Sequence, residues 1–141
     1  MKIAVGSDHG GFLLKQEVAR LINSLGHEVL DMGCYNEDSV DYPDYASKVV
    51  TEIEAGRSER GILVCGTGIG MSIAANRSKK IRAALCHDLE TTRLSREHND
   101  ANILCMGGRV LDTALALSMV ELWIAVEFAD GRHQRRIDKM S

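Results

Sequence analysis

The chain has 141 residues, 45% of them hydrophobic and 26% charged, with a formal net charge of −3. That is the size and balance of one globular domain, able to bury a core without disulfide or metal staples. Mild acidity gives no footprint for general nucleic-acid or membrane-surface binding, and Asp112, Glu121 and Glu127 interrupt the most apolar stretch, 110–129, too often for a membrane span.

The opening Met1-Lys2-Ile3-Ala4-Val5-Gly6 reaches glycine and acid too soon for a signal peptide. The first strand is expected over 2–7. Leu14, Val18, Leu21, Ile22 and Leu25 then share one helical face, and Gly26 supplies a stop. A second strand is expected over 28–32. Tyr45, Ala46, Val49, Val50 and Ile53 repeat the helical spacing up to Gly56. Apolar runs at 61–65, 82–87 and 102–106 read as further buried strands. Shorter helices are expected over 70–77 and 89–98. The last, from 112 to about 128, is apolar on most sides, which predicts burial against the sheet and against a second subunit. Strand–helix alternation of this kind implies a single three-layer α/β/α domain, 1–141, with a five-stranded parallel sheet in a Rossmann-like, doubly wound arrangement. Four cysteines, Cys34, Cys65, Cys86 and Cys105, match no paired zinc or redox spacing and read as reduced thiols in a cytoplasm.

In such sheets ligands bind beyond the carboxyl ends of the strands. The residues that follow the strands are Gly6-Ser7-Asp8-His9-Gly10-Gly11, Cys65-Gly66-Thr67-Gly68-Ile69-Gly70, His87-Asp88 and Gly107-Gly108-Arg109. Glycines, ionisable groups and a cysteine therefore collect on one edge. A glycine-rich turn entering a helix presents free amides to an anion, either a phosphate or an oxyanion formed in reaction. A P-loop needs a lysine that Gly70-Met71-Ser72 lacks. A cysteine phosphatase loop needs an arginine where Met71 stands. A dinucleotide fingerprint fits Gly66 and Gly68, with Asp88 about twenty residues on, but Met71 occupies its third glycine position.

What remains is Cys65 ahead of an anion cradle, where a helix N-terminus lowers a thiol pKa from about 8.5. Cys86 and Cys105, inside apolar runs, read as packing, and Cys34 as incidental to a polar loop. Asp8-His9 lies on the ligand edge. His98, at a helix end, reads equally well as a dipole partner or a site residue. Arg132 and Arg136, four apart, project side by side if the tail 131–141 is helical, and that suits a phosphate.

Segments 6–11, Asp41-Tyr42-Pro43, 61–70, Ser95-Arg96-Glu97-His98-Asn99-Asp100-Ala101-Asn102 and Gly131-Arg132-His133, in this order, resemble the ribose-5-phosphate isomerase type B and galactose-6-phosphate isomerase family over essentially the whole chain. The galactose-type subunits resemble it less, lacking the Gly-Arg-His tail and the Arg-Glu-His-Asn segment. One branch of the family uses a glutamate base; this chain is similar to the cysteine branch.

The resemblance implies a metal-free, cofactor-free aldose–ketose isomerase, acting on ribose 5-phosphate or on a six-carbon phosphate such as allose or galactose 6-phosphate. It also implies a homodimer or tetramer with the active site between subunits. Carried over residue by residue, Cys65 is the base, and the amides of Gly66, Thr67, Gly68, Ile69 and Gly70 hold an enediolate oxygen. Thr67, Asp8 and His98 open the sugar ring. Asn99 binds hydroxyls, and His9, Arg109, Arg132 and Arg136 meet the phosphate. A non-catalytic phospho-sugar binder and a dinucleotide-binding protein stand as alternatives.

Overall fold

The computed structural model describes residues 1–140. Five strands, β1 (Lys2–Ser7), β2 (Glu28–Asp31), β3 (Arg60–Cys65), β4 (Ala83–Leu85) and β5 (Ile103–Gly107), form one sheet in the order β2-β1-β3-β5-β4. Every neighbouring pair is parallel. The helices are α1 (Phe12–Ser24), α2 (Tyr42–Glu54), α3 (Ile69–Ala75), α4 (Leu89–Glu97), α5 (Thr113–Ala125) and α6 (Arg132–Asp138). A 3-10 turn at His9–Gly11 leads into α1.

Because successive side chains on a strand point to opposite faces, the central strands feed two cores. Ile62 and Val64 of β3 join Ile3, Val5, Leu104 and Met106 beneath α1 and α5, where Val18, Ile22, Met119, Val120 and Trp123 are fully buried. Leu63 and Cys65 face the other way, with Ala4, Ile103 and Cys105, against Val49 of α2 and Met71 and Ala75 of α3. Each fully buried aliphatic side chain contributes roughly 1.5–3 kcal/mol, so the three-layer form follows from these two stripes.

The edge strands differ from the expected buried runs. β2 and β4 have partners on one side only, and none of their residues is fully buried. β4 has three residues, and just before it the Arg82 N–H turns to Asn102 Oδ1. The last long helix also stops early, at Ala125. Val126 is extended (ψ 130°), and Arg60 and Arg96 donate to the carbonyls of Trp123 and Val126. Within the chain α5 leaves a shallow apolar hollow between Leu122, Ala125 and Leu89. Its large side chains are buried or half-buried against the sheet, α1 and α4, and none of them is among the exposed large apolar residues. Those residues include Leu13, Ile69, Ile73, Leu89 and Val110, which lie where chain leaves the carboxyl ends of the strands. No helix among the described residues is long and apolar enough to cross a membrane.

Candidate active site

Three turns meet at the carboxyl edge of β1, β3 and β5, and backbone bonds lock them together. Asp8 N–H donates to the Val64 carbonyl at 3.2 Å, Gly108 N–H to the Cys65 carbonyl at 2.8 Å and Arg109 N–H to the Gly66 carbonyl at 3.0 Å. Close approach demands glycine here. A Cβ on Gly11 would lie 2.3 Å from the Val64 carbonyl oxygen. Gly68 holds φ +83°, and a Cβ there would stand 2.8 Å from the Met106 carbonyl carbon.

Cys65 ends β3 and is 5% exposed. The Gly68 N–H donates to its Sγ at 3.1 Å, a contact that a thiolate accepts more strongly than a thiol. The Thr67 hydroxyl oxygen accepts the Ile69 N–H at 3.2 Å, which orients it at the loop's exposed tip. Helix α3 has only seven residues, so the local amides, rather than a long macrodipole, set the electrostatics.

Asp8 is buried at 8% exposure, with Oδ1 accepting the Gly11 N–H at 3.2 Å. The guanidinium of Arg109 covers Gly10 and Gly66, and with His9 it lines a cleft of about 240 Å³. Asp8, His9, Cys65, the glycine loop 66–70 and Arg109 thus share one edge, as expected.

The other expected residues lie elsewhere. Helix α4 runs back from the carboxyl edge and ends at His98, just before β5 begins. The Arg82 Nε donates to the Asn99 carbonyl at 2.8 Å, so His98 and Asn99 sit at the amino edge. The tail is there too: Ala129 N–H donates to the Glu97 carbonyl at 3.0 Å, and the His133 ring stacks on His98 with centroids 4.2 Å apart. The tail is helical over Arg132–Asp138, which meets the condition for pairing Arg132 and Arg136 and places them one turn apart on α6. Between the edges lie the four steps of β5 from Ile103 to Gly107, about 13 Å at roughly 3.3 Å each. Within one chain, His98, Asn99, Arg132 and Arg136 are separated from Cys65.

The thiols divide by environment. Burial pushes the Cys105 thiol far above its ordinary value, and that of Cys86 also up; neither faces the loop as Cys65 does. Cys34 is less incidental than its polar loop suggests. It is buried, its N–H donates to the Ser7 carbonyl at 2.9 Å, and its Sγ lies 3.7 Å from Ser7 Oγ. No sequence pattern announced that contact. Sequence reasoning also missed Tyr42, whose ring would meet a Cβ on Gly70 at 2.6 Å, and the His133–His98 stack. Among the described residues, no three His, Cys, Asp or Glu side chains gather as metal ligands.

Comparison with known proteins agrees with this fold. The family model described as Ribose/Galactose Isomerase matches residues 3–140. Ribose-5-phosphate isomerase B of Escherichia coli is 44% identical over 140 residues, which span 99% of this chain and 94% of that protein. The ribose-5-phosphate isomerase B structure of Clostridium thermocellum superposes with a TM-score of 0.98 at 51% identity, covering 99% of this chain and 95% of that one. The type B enzyme of Trypanosoma brucei gives 0.95 at 40% identity, with the same coverage. The chain belongs to the ribose/galactose isomerase family.

Proposed function

We propose that the protein interconverts ribose 5-phosphate and ribulose 5-phosphate through an enediolate, in the non-oxidative pentose phosphate pathway of the cytoplasm. The observation that carries this reading is the sulfur of Cys65, held at a strand end by the Gly68 amide at the mouth of a glycine loop. Aldose–ketose isomerisation removes a weakly acidic C–H proton beside a carbonyl. Cys65 takes that proton from C2 and returns it to C1. The amides of residues 66–70 receive the oxyanion, and preorganised donors of this kind are worth on the order of 10²–10³ in rate each.

Ring opening needs a proton delivered to the ring oxygen and another removed from the anomeric hydroxyl. Asp8 and Thr67 stand beside Cys65 for this task, and His98 is the third member. His98 reaches the sugar from a second copy of the chain, as do Asn99, Arg132 and Arg136, while His9 and Arg109 meet the phosphate from the first copy. The separation of the two edges supports this homo-oligomeric site. So do exposed Leu13, Ile69 and Val110 around the carboxyl-edge turns. The segment 131–141 is then part of the site.

An isomerase assay across ribose 5-phosphate, allose 6-phosphate and galactose 6-phosphate, with and without EDTA, tests the reading. Turnover of ribose 5-phosphate with the highest kcat/KM, unchanged by EDTA, is expected. Preference for a six-carbon phosphate would move the assignment within the family, and no turnover of any of the three would overturn it.

A further inference from the structure

We propose that the Lys15–Asp31 ion pair is a positioning device for His9, acting through the loop 33–40; this deepens the reading of His9 as a phosphate ligand and rests on it. Lys15 lies on the inward face of α1 and is 1% exposed. Its Nζ donates to both Asp31 carboxylate oxygens at 2.7 Å and lies 5.5 and 5.7 Å from the ring centres of Phe12 and Tyr35. Leu14, Val18 and Ile22 fill the rest of that face. Replacing a buried ion pair by apolar side chains of similar volume is often neutral or stabilising. Stability alone therefore does not account for a lysine at this place.

The pair leads directly to the site. Asp31 Oδ1 also accepts the Gly33 N–H at 2.9 Å. The Gly33 carbonyl accepts the Ser7 N–H at 2.7 Å, and the Ser7 carbonyl accepts the Cys34 N–H at 2.9 Å. The start of the loop is thereby tied to the end of β1, one residue before Asp8. At the far end, the Val40 N–H donates to His9 Nδ1 at 3.1 Å. A backbone amide can only donate, so Nδ1 offers its lone pair and the ring proton sits on Nε2. His9 is thus set as an N–H donor in the cleft it shares with Arg109. The opposite tautomer would present a lone pair to an anion and repel it. An anchored loop selects the tautomer that binds.

The test uses the full-length protein and two readouts. Imidazole ¹⁵N shifts at about pH 8.5, above the ordinary histidine range, should show wild-type His9 protonated on Nε2 alone; His9→Gln assigns the signals. Lys15→Met/Asp31→Ala removes both charges and leaves none unpaired. It should average the two nitrogen shifts and raise KM for ribose 5-phosphate about five- to tenfold, the loss of one phosphate hydrogen bond, with kcat within about twofold. Lys15→Met/Asp31→Asn keeps an oxygen for the Gly33 N–H and should recover most of both signals. Should the first variant not fold, Lys15→Met alone is read the same way, since Asp31 can be solvated. Wild-type His9 protonated on Nδ1, or shifts and KM unmoved in the variants, would overturn the device. Absence of isomerase activity in the wild type would sink the functional reading instead, and the nitrogen shifts would still decide the clamp.

Discussion

The two edges of the sheet are built from different materials. At the carboxyl edge the contacts are made by backbone: amides and carbonyls of residues 8, 64–66 and 108–109 bond across three turns, and glycines permit the approach. At the amino edge long side chains do the same work. Arg96, only 4% exposed, donates to the Asp100 carboxylate and the Ala101 carbonyl, while Arg82 donates to the carbonyls of Asn99 and Asp100. Asp100 takes a left-handed conformation (φ 44°) between the two arginines. The first edge suits a fixed cradle for charge that appears during reaction. The second carries the exposed Arg132 and Arg136 of α6, which suit an anion. Neither edge holds all the groups proposed above, so the comparison predicts that function needs the two edges of different copies.

The largest expected effect is at the backbone-built edge. Cys65→Ala should lower kcat by on the order of 10²–10⁴, the usual worth of a positioned base. Substrate analogues should still bind in calorimetry, because the amides and arginines remain. Near wild-type turnover in Cys65→Ala would remove the thiol from the mechanism. The same variant probes the relation between edges. Refolded together with His98→Ala, itself impaired, it should regain activity in mixed dimers. Random pairing makes half the dimers mixed, and each has one intact site, so about a quarter of wild-type activity returns if the site is shared. No recovery would confine the site to one chain.

The next effect is on folding. Gly68→Ala places a Cβ against Met106 backbone and demands φ +83° of an L-residue. It should cost about 2–4 kcal/mol in urea unfolding and distort the Cys65 contact with it. If stability were unchanged, the loop would not be as tightly seated as its bonds indicate.

The carboxyl edge was legible in the sequence because each part is local. A strand, a glycine turn and a helix start fall within ten residues, and the rule that ligands sit beyond strand ends supplies their common location. The amino edge was less legible. Arg132 and Arg136 could be paired from their spacing alone. That His98 stacks on His133 depends on where α5 ends, and that in turn depends on Arg60 and Arg96 reaching its last carbonyls from distant elements. The start of β4 was hidden for a similar reason, since Asn102, just before the neighbouring β5, takes the Arg82 N–H. The apolar pattern of 112–128 points to burial against the sheet and a second subunit, but it does not reveal that α4 and α1 flank that helix within the chain. Composition reveals that a surface is covered but not by what.

At the side-chain-built edge, a smaller change is expected in binding. Arg132→Ala or Arg136→Ala should raise KM about tenfold or more, the loss of a charge-assisted bond, with kcat changed less. Steady-state kinetics on the phosphorylated sugar separates the two terms, and an unchanged KM in both variants would make the tail a solvated end.

The smallest effect should come from the stacked imidazoles. Partial burial, then the neighbouring His98, Arg132 and Arg136, hold the His133 pKa below its ordinary value of about 6.5. The unfolded chain therefore takes up a proton that the folded chain resists as pH falls through that value. Stability then rises with pH across this window and is lost below it, with nothing further gained once both states are neutral. His133 is only half-buried, so solvent screening keeps the effect small. His133→Phe keeps a flat ring on His98 but cannot titrate. The Tm of wild type should fall relative to this variant between pH 7 and pH 5, and the two should run parallel above pH 7. Parallel curves across the whole range would mean that the stack carries no such penalty.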